Sequence, residues 1–198
     1  MNTQNLGLIL WIISFPAFAA AAECDTIRVK SETGVLQELF TVQKGTQIRE
    51  GRFVSYYPDG KIGVEAAYVN GKLDGIYKSY YANGNPWQEI HYAGGIENGE
   101  ALTFHDNGKI KNSDVYENGV LNGPSKEFRP DGTLRSEFHY QKGHVEGIAK
   151  IYDETGLPAE DMEFVHGLRE GLYHRYKKGI VTHTARFLRN RCVENCDF

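Results

Sequence analysis

An all-β fold is predicted: an elongated antiparallel meander of 24-residue β-hairpin repeats, about six to seven units, behind an N-terminal signal peptide. Three observations predict it. Gly51, Gly75, Gly99, Gly123 and Gly147 open blocks that align without gaps, and Gly171 opens a sixth that breaks down after Tyr176. Aromatic residues return in two columns, Tyr56, Tyr80, Phe104, Phe128, Tyr152 and Tyr176 at position 6 of the block, and Tyr68, Tyr92, Tyr116, Tyr140 and Phe164 at position 18. Turn sequences end in Gly60, Gly84, Gly108, Gly132 and Gly156, and a second glycine column runs through Gly71, Gly95, Gly119, Gly143 and Gly167.

Taken in order, residues 1–22 read as a cleaved signal peptide. Leu6 to Phe18 is an apolar core of secretory length, followed by Ala20-Ala21-Ala22, although no Lys or Arg precedes it. Residues 23–50 read as an N-terminal cap and degenerate repeat, since Gly34 and Gly45 keep the spacing of Gly60 and Gly71 before a short insertion. Residues 51–180 are the repeat domain. Pro-Asp-Gly and Asn-Gly dipeptide signals mark hairpin tips, and the segments between them are of strand length with no room for a helix. Both aromatic columns are expected on one face, as a structural ladder. Residues 181–198 read as a basic C-terminal tail or cap.

The chain has 198 residues, 40% of them hydrophobic, and a net charge of −4, which gives no reason to expect nucleic acid or an anionic membrane as partner. Export is expected, to the periplasm or outside the cell. Cys192 and Cys196 are close enough to pair there, leaving Cys24 over. The histidines are scattered, with His91 and His139 two units apart, and no cofactor or metal is expected. No Walker loop, G-x-S-x-G or H-E-x-x-H occurs, and the chain is not expected to be an enzyme.

The pattern G-x4-[YF]-x3-G-x7-[YF]-x2-G, as in GRFVSYYPDGKIGVEAAYVNGKLD, resembles the variant MORN repeat. The chain from about residue 25 to 180 is similar to the YwqK-type antitoxin family. That resemblance implies an immunity protein that binds and occludes a cognate protein toxin. Export would make the toxin an envelope-acting one, for example a phospholipase or cell-wall hydrolase.

Candidate contact residues come from what varies between units. Positions 3, 5 and 7 should face away from position 6, and there the first two units carry Phe53, Tyr57, Tyr77 and Tyr81, with Trp87 at position 13 nearby. Later units carry Ala101, His105, Ser125, Arg129, Ala149 and Asp153 instead. This is either an aromatic hot spot for a partner or a surface that the segment 25–50 covers. A second candidate is the acidic unit with Glu154, Glu160 and Asp161, whose block 147–170 has a net charge of −4, balanced by +4 over 171–198. The alternative function is an envelope scaffold or membrane-associated repeat protein, built through open sheet edges. The oligomeric state is not fixed by the sequence.

Overall fold

A computed structural model describes residues 23–197; the signal-peptide expectation for residues 1–22 lies outside the described residues. The strands are β1 (Cys24–Lys30), β2 (Leu36–Gln43), β3 (Arg49–Tyr56), β4 (Ile62–Val69), β5 (Lys72–Leu73), β6 (Gly75–Tyr80), β7 (Pro86–Ala93), β8 (Ile96–Phe104) and β9 (Ile110–Glu117). They continue with β10 (Val120–Leu121), β11 (Gly123–Phe128), β12 (Leu134–Gln141), β13 (His144–Val145), β14 (Gly147–Tyr152), β15 (Pro158–Val165), β16 (Leu168–Lys177), β17 (Ile180–Leu188) and β18 (Arg191–Glu194). Every pairing is antiparallel and joins sequence neighbours, apart from β4–β6, β9–β11 and β12–β14, which reach past a two-residue strand, so the sheet is an open meander from β1 to β18. The short β5, β10 and β13 are the first residues of strands interrupted at Asp74, Asn122 and Glu146, and each unit still supplies two strands.

Turn chemistry explains why the chain reverses where it does. At the first tip, Gly60 takes φ 85° and donates its N–H to the Tyr57 carbonyl, while Asp59 accepts from the Lys61 N–H. At the second, Asn70 and Gly71 both have positive φ, 50° and 78°, the pairing a tight hairpin turn needs. Its equivalents place Lys142 and His166 in the same left-handed region, which is unfavourable for those side chains. A column at position 24 holds them there. Glu50, Asp74, Asn98, Asn122 and Glu146 each accept from the N–H of the residue opening the next unit's turn: Asn70, Gly94, Asn118, Lys142 and His166. The glycine that follows donates to a carbonyl of the preceding unit, as Gly119 does to Glu97 at 2.8 Å.

The two aromatic columns do not share a face, which corrects the expectation of one ladder. Tyr68 stands opposite Gly51, an odd number of residues from Tyr56 on the same strand, so alternation sends Tyr56 and Tyr68 to opposite sides. Contacts agree. Tyr68 packs edge-on against Phe53, at 6.1 Å, whereas Tyr80 donates to Glu65, which stands opposite Val54.

The Phe53 face carries most of the core as a single row. Phe40, Phe53 and Ala66 stand side by side, then Tyr77, Ile90, Ala101 and Asp114, then Ser125 and Phe138, then Ala149, Met162, Tyr173 and Ala185. Phe53, Ala66, Ala101, Ala149, Met162, Tyr173 and Ala185 are buried. Position-18 rings lie beside that row, Tyr92 against Tyr77 and Phe187 against Tyr173. The Val54 face is polar, with Tyr80–Glu65, Tyr152–Glu137 and Tyr176–Asp161 hydrogen bonds and the ion pairs Arg52–Glu65, Lys78–Glu89 and Lys150–Glu137.

Both ends are more regular than the sequence suggests. Residues 25–50 form the β1–β2 hairpin and extend the sheet, so they do not fold over the aromatic cluster. The sixth unit, expected to break down after Tyr176, is completed by β17 through a tight Lys178-Gly179 turn. Residues 181–188 thus lie in a strand, and β18 follows with the disulfide Cys192–Cys196. Cys24 opens β1 and is exposed.

Candidate partner-binding face

The Phe53 face is built from position 3, position 18 and, toward the hairpin tips, positions 7 and 13. Its tip side depends on a bulge repeated in each unit. Between Ser79 and Tyr80 the register shifts past one residue of β7, Trp87, which is thereby left outside the regular pairing. Trp87 then meets Tyr81 with ring centroids 6.1 Å apart and exposes 47% of its surface. A large aromatic held on a strand and left in water is the most conspicuous unsatisfied surface among the predicted residues.

The other predicted aromatics are engaged. Phe53, at 8% exposure, lies in the core row, and the Arg49 guanidinium covers it at 4.6 Å while also reaching the Phe40 and Tyr68 rings. Tyr77 is half-buried against Tyr92. Tyr57 and Tyr81 spend their hydroxyls inside the array: Tyr57 donates to the Tyr80 carbonyl at 2.6 Å and Tyr81 to the Phe104 carbonyl at 2.8 Å. The same position in the next two units holds His105, whose Nε2 meets the Phe128 carbonyl, and Arg129, whose Nη2 donates to the Tyr152 carbonyl. Position 7 is therefore a clasp between successive units.

The acidic candidates are not brought together. Glu154 is exposed at a tip. Glu160 lies 3.8 Å from Arg175 beside the core row, while Asp161 points to the other face and accepts from His174 Nδ1 at 2.7 Å and the Tyr176 hydroxyl at 2.5 Å. Strand alternation separates adjacent residues by construction. Asp153, the position-7 residue of this unit, accepts from Thr155 and the Leu157 N–H in its own turn, and those bonds hold its carboxyl below the ordinary range.

Three features escaped the sequence reading. Arg49 and Arg169 occupy position 23 at the two ends of the Phe53 face, each over an aromatic ring. His105, Lys111, Arg129 and Arg135 line a charged hollow at the tips beside Trp87's unit together with two carboxylates, Glu127, which is bonded to Arg135, and Glu154. Near the C-terminal end a trough of about 480 Å³ opens over Ala149 and Met162. The position-24 acceptors also went unread, although they repeat as a column of Asp, Asn and Glu; the trough leaves no such signal, because it depends on which small and large residues meet across strands.

Residues 49–70, 73–93, 97–118 and 121–142 match the family described as the MORN repeat variant. No curated protein matches the chain. The middle of this β-meander is thus an array of four consecutive MORN-variant repeats, a repeat class associated with protein or membrane interactions.

Proposed function

We propose that this chain is an exported binding module, without catalytic activity, that neutralises a protein toxin acting in the cell envelope by covering it. The observation that carries the proposal is Trp87: a half-exposed indole beside Tyr81, on a strand whose neighbouring units are clasped together. Rigid aromatic anchors of this kind carry most of the energy in protein interfaces, because little side-chain freedom is lost on binding. Basic side chains of the adjacent hollow, Lys111 among them, supply a charged rim. The resemblance to antitoxins favours immunity within the wider class of binding modules, and the Cys192–Cys196 bridge suits an oxidising compartment.

The test is co-expression with a toxin encoded beside the gene. Wild type should restore growth and co-purify with the toxin. Trp87→Ala should lose at least tenfold in affinity, and lose rescue, with thermal stability unchanged. Full rescue by the folded variant removes Trp87 from the interface.

The alternative, an envelope scaffold assembling end to end, is favoured by one observation. Among the described residues β1 is a seven-residue open edge, whereas the opposite edge is a four-residue strand closed by a disulfide. Concentration-dependent assembly in sedimentation velocity would support it; a monomer at all concentrations would not.

A further inference from the structure

We infer that the trough at the C-terminal end of the Phe53 face is a binding site for a single-chain anionic amphiphile, a long-chain fatty carboxylate. The inference does not rest on the immunity reading and concerns a different part of the sheet from Trp87.

Its floor is apolar and fixed. Met162, Tyr173, Ala185 and Phe187 form a buried cluster, with Phe164 and the disulfide residue Cys192 packed against it. Position 3 of this unit is Ala149 where the first two units have Phe53 and Tyr77, so the floor sinks between the flanking rings of Phe138 and Phe164. The resulting trough, about 480 Å³, is in the range of small-molecule sites, about 300–1,000 Å³.

Charge is placed at its two ends. Arg169 stands opposite Phe164 with its guanidinium 5.6 Å from the Phe187 ring centroid, and among the described residues it has no carboxylate partner. Arg175, at the far end, lies 3.8 Å from Glu160. Their cross-strand partners, Glu160 and Phe164, are four residues apart on β15, so at about 3.3 Å per residue the floor between the two arginines is on the order of 13 Å long. One cation without a counterion at one end of a long apolar floor complements one anion at the end of a hydrocarbon chain.

A peptide is the poorer occupant. Backbone groups of β14 to β17 are used in the sheet ladder, so the floor offers none to an incoming amide, and a bound peptide would bury unpaired N–H and C=O groups. A hydrocarbon chain brings none.

The experiment is calorimetric titration of the full exported chain with laurate, below its micellar concentration, in parallel with dodecyltrimethylammonium. Wild type should bind one laurate and prefer it at least tenfold over the cationic amphiphile. Arg169→Glu, an exposed substitution, should reverse that preference. Ala149→Phe, which fills the trough, should weaken both at least tenfold, with far-ultraviolet circular dichroism unchanged. Trp87→Ala should leave laurate binding as it is, so that failure of the interface reading is distinguishable from failure of this one. The inference is overturned by any of three results: no saturable laurate binding; equal preference in wild type and Arg169→Glu; or displacement of laurate by an uncharged apolar pentapeptide or by phosphatidylcholine vesicles at matched concentration.

Discussion

Tyr57, Tyr81, His105 and Arg129 differ in size, charge and aromaticity, yet each presents a donor to a carbonyl 23 residues further along, in the next unit. The sequence presents this column as a change from aromatic to charged, suggestive of a hot spot; in three dimensions it is one requirement met four ways. Asp153 ends the series because a carboxylate cannot donate, and it turns to its own loop instead. Tyr57→Phe should therefore lower stability by about 1 kcal/mol, seen as a lower urea midpoint, while leaving partner binding intact. A second residue-scale case is Tyr152, whose hydroxyl donates to Glu137 at 2.7 Å. Burial and that bond push its pKa up to about 12. A raised acid in the folded state contributes stability that is complete below about pH 10, the unfolded value, and is lost as pH rises toward 12. Tyr152→Phe should be about 1 kcal/mol less stable than wild type at neutral pH, and the gap should close by pH 12 in paired urea titrations. Glu137 has the opposite sign: the Tyr152 hydroxyl, with help from Lys150, holds it low, and its contribution fades on acidification below its ordinary value.

At the scale of the hairpin, the turns show why the glycine columns were legible in the sequence. Gly119 takes φ 79° in the same tight turn that Asn118 enters at φ 51°, and a Cβ there would lie 3.2 Å from Ile96 Cγ2. Gly119→Ala should cost about 1–3 kcal/mol through backbone strain and the added close contact. Gly156→Ala, with similar φ and open space around it, should cost less; thermal melts of the two variants check the ordering. Such positions announce themselves, because only glycine fits without strain. Facing is different. Two aromatic columns repeat with the same period whether they share a face or not, and only the count of residues between each and its cross-strand partner decides it. Trp87 makes the same point: it sits on the tip side of the Phe53 face because of a bulge that the spacing of glycines does not reveal.

For the whole molecule, the sheet is quasi-one-dimensional and its core is a row, so each unit depends on its neighbours and the ends are the weak points. The two ends are secured differently. At the start, Arg49 lies over three aromatic rings. At the finish, Cys192 and Cys196, four residues apart, close β18 against the Met162 and Tyr173 cluster. A loop that short should contribute about 2 kcal/mol. Reduction should lower the melting temperature and speed amide exchange first in β17 and β18, with the units around Gly75 to Gly123 unaffected; uniform exchange across the sheet would contradict this arrangement.

The sequence by itself determined the repeat, its length, the places where the chain turns, the all-β class and the pairing of Cys192 with Cys196, because each of these is set by local chemistry: positive φ at glycine, strand-length spacing, and proximity along the chain. Tertiary structure alone decided which residues share a face across strands, that Tyr57 and Tyr81 clasp units while Trp87 stays exposed, and that Ala149 lies at the bottom of a trough. Those properties arise from cross-strand register, a relation between residues far apart in sequence, and a shift of one residue changes all of them.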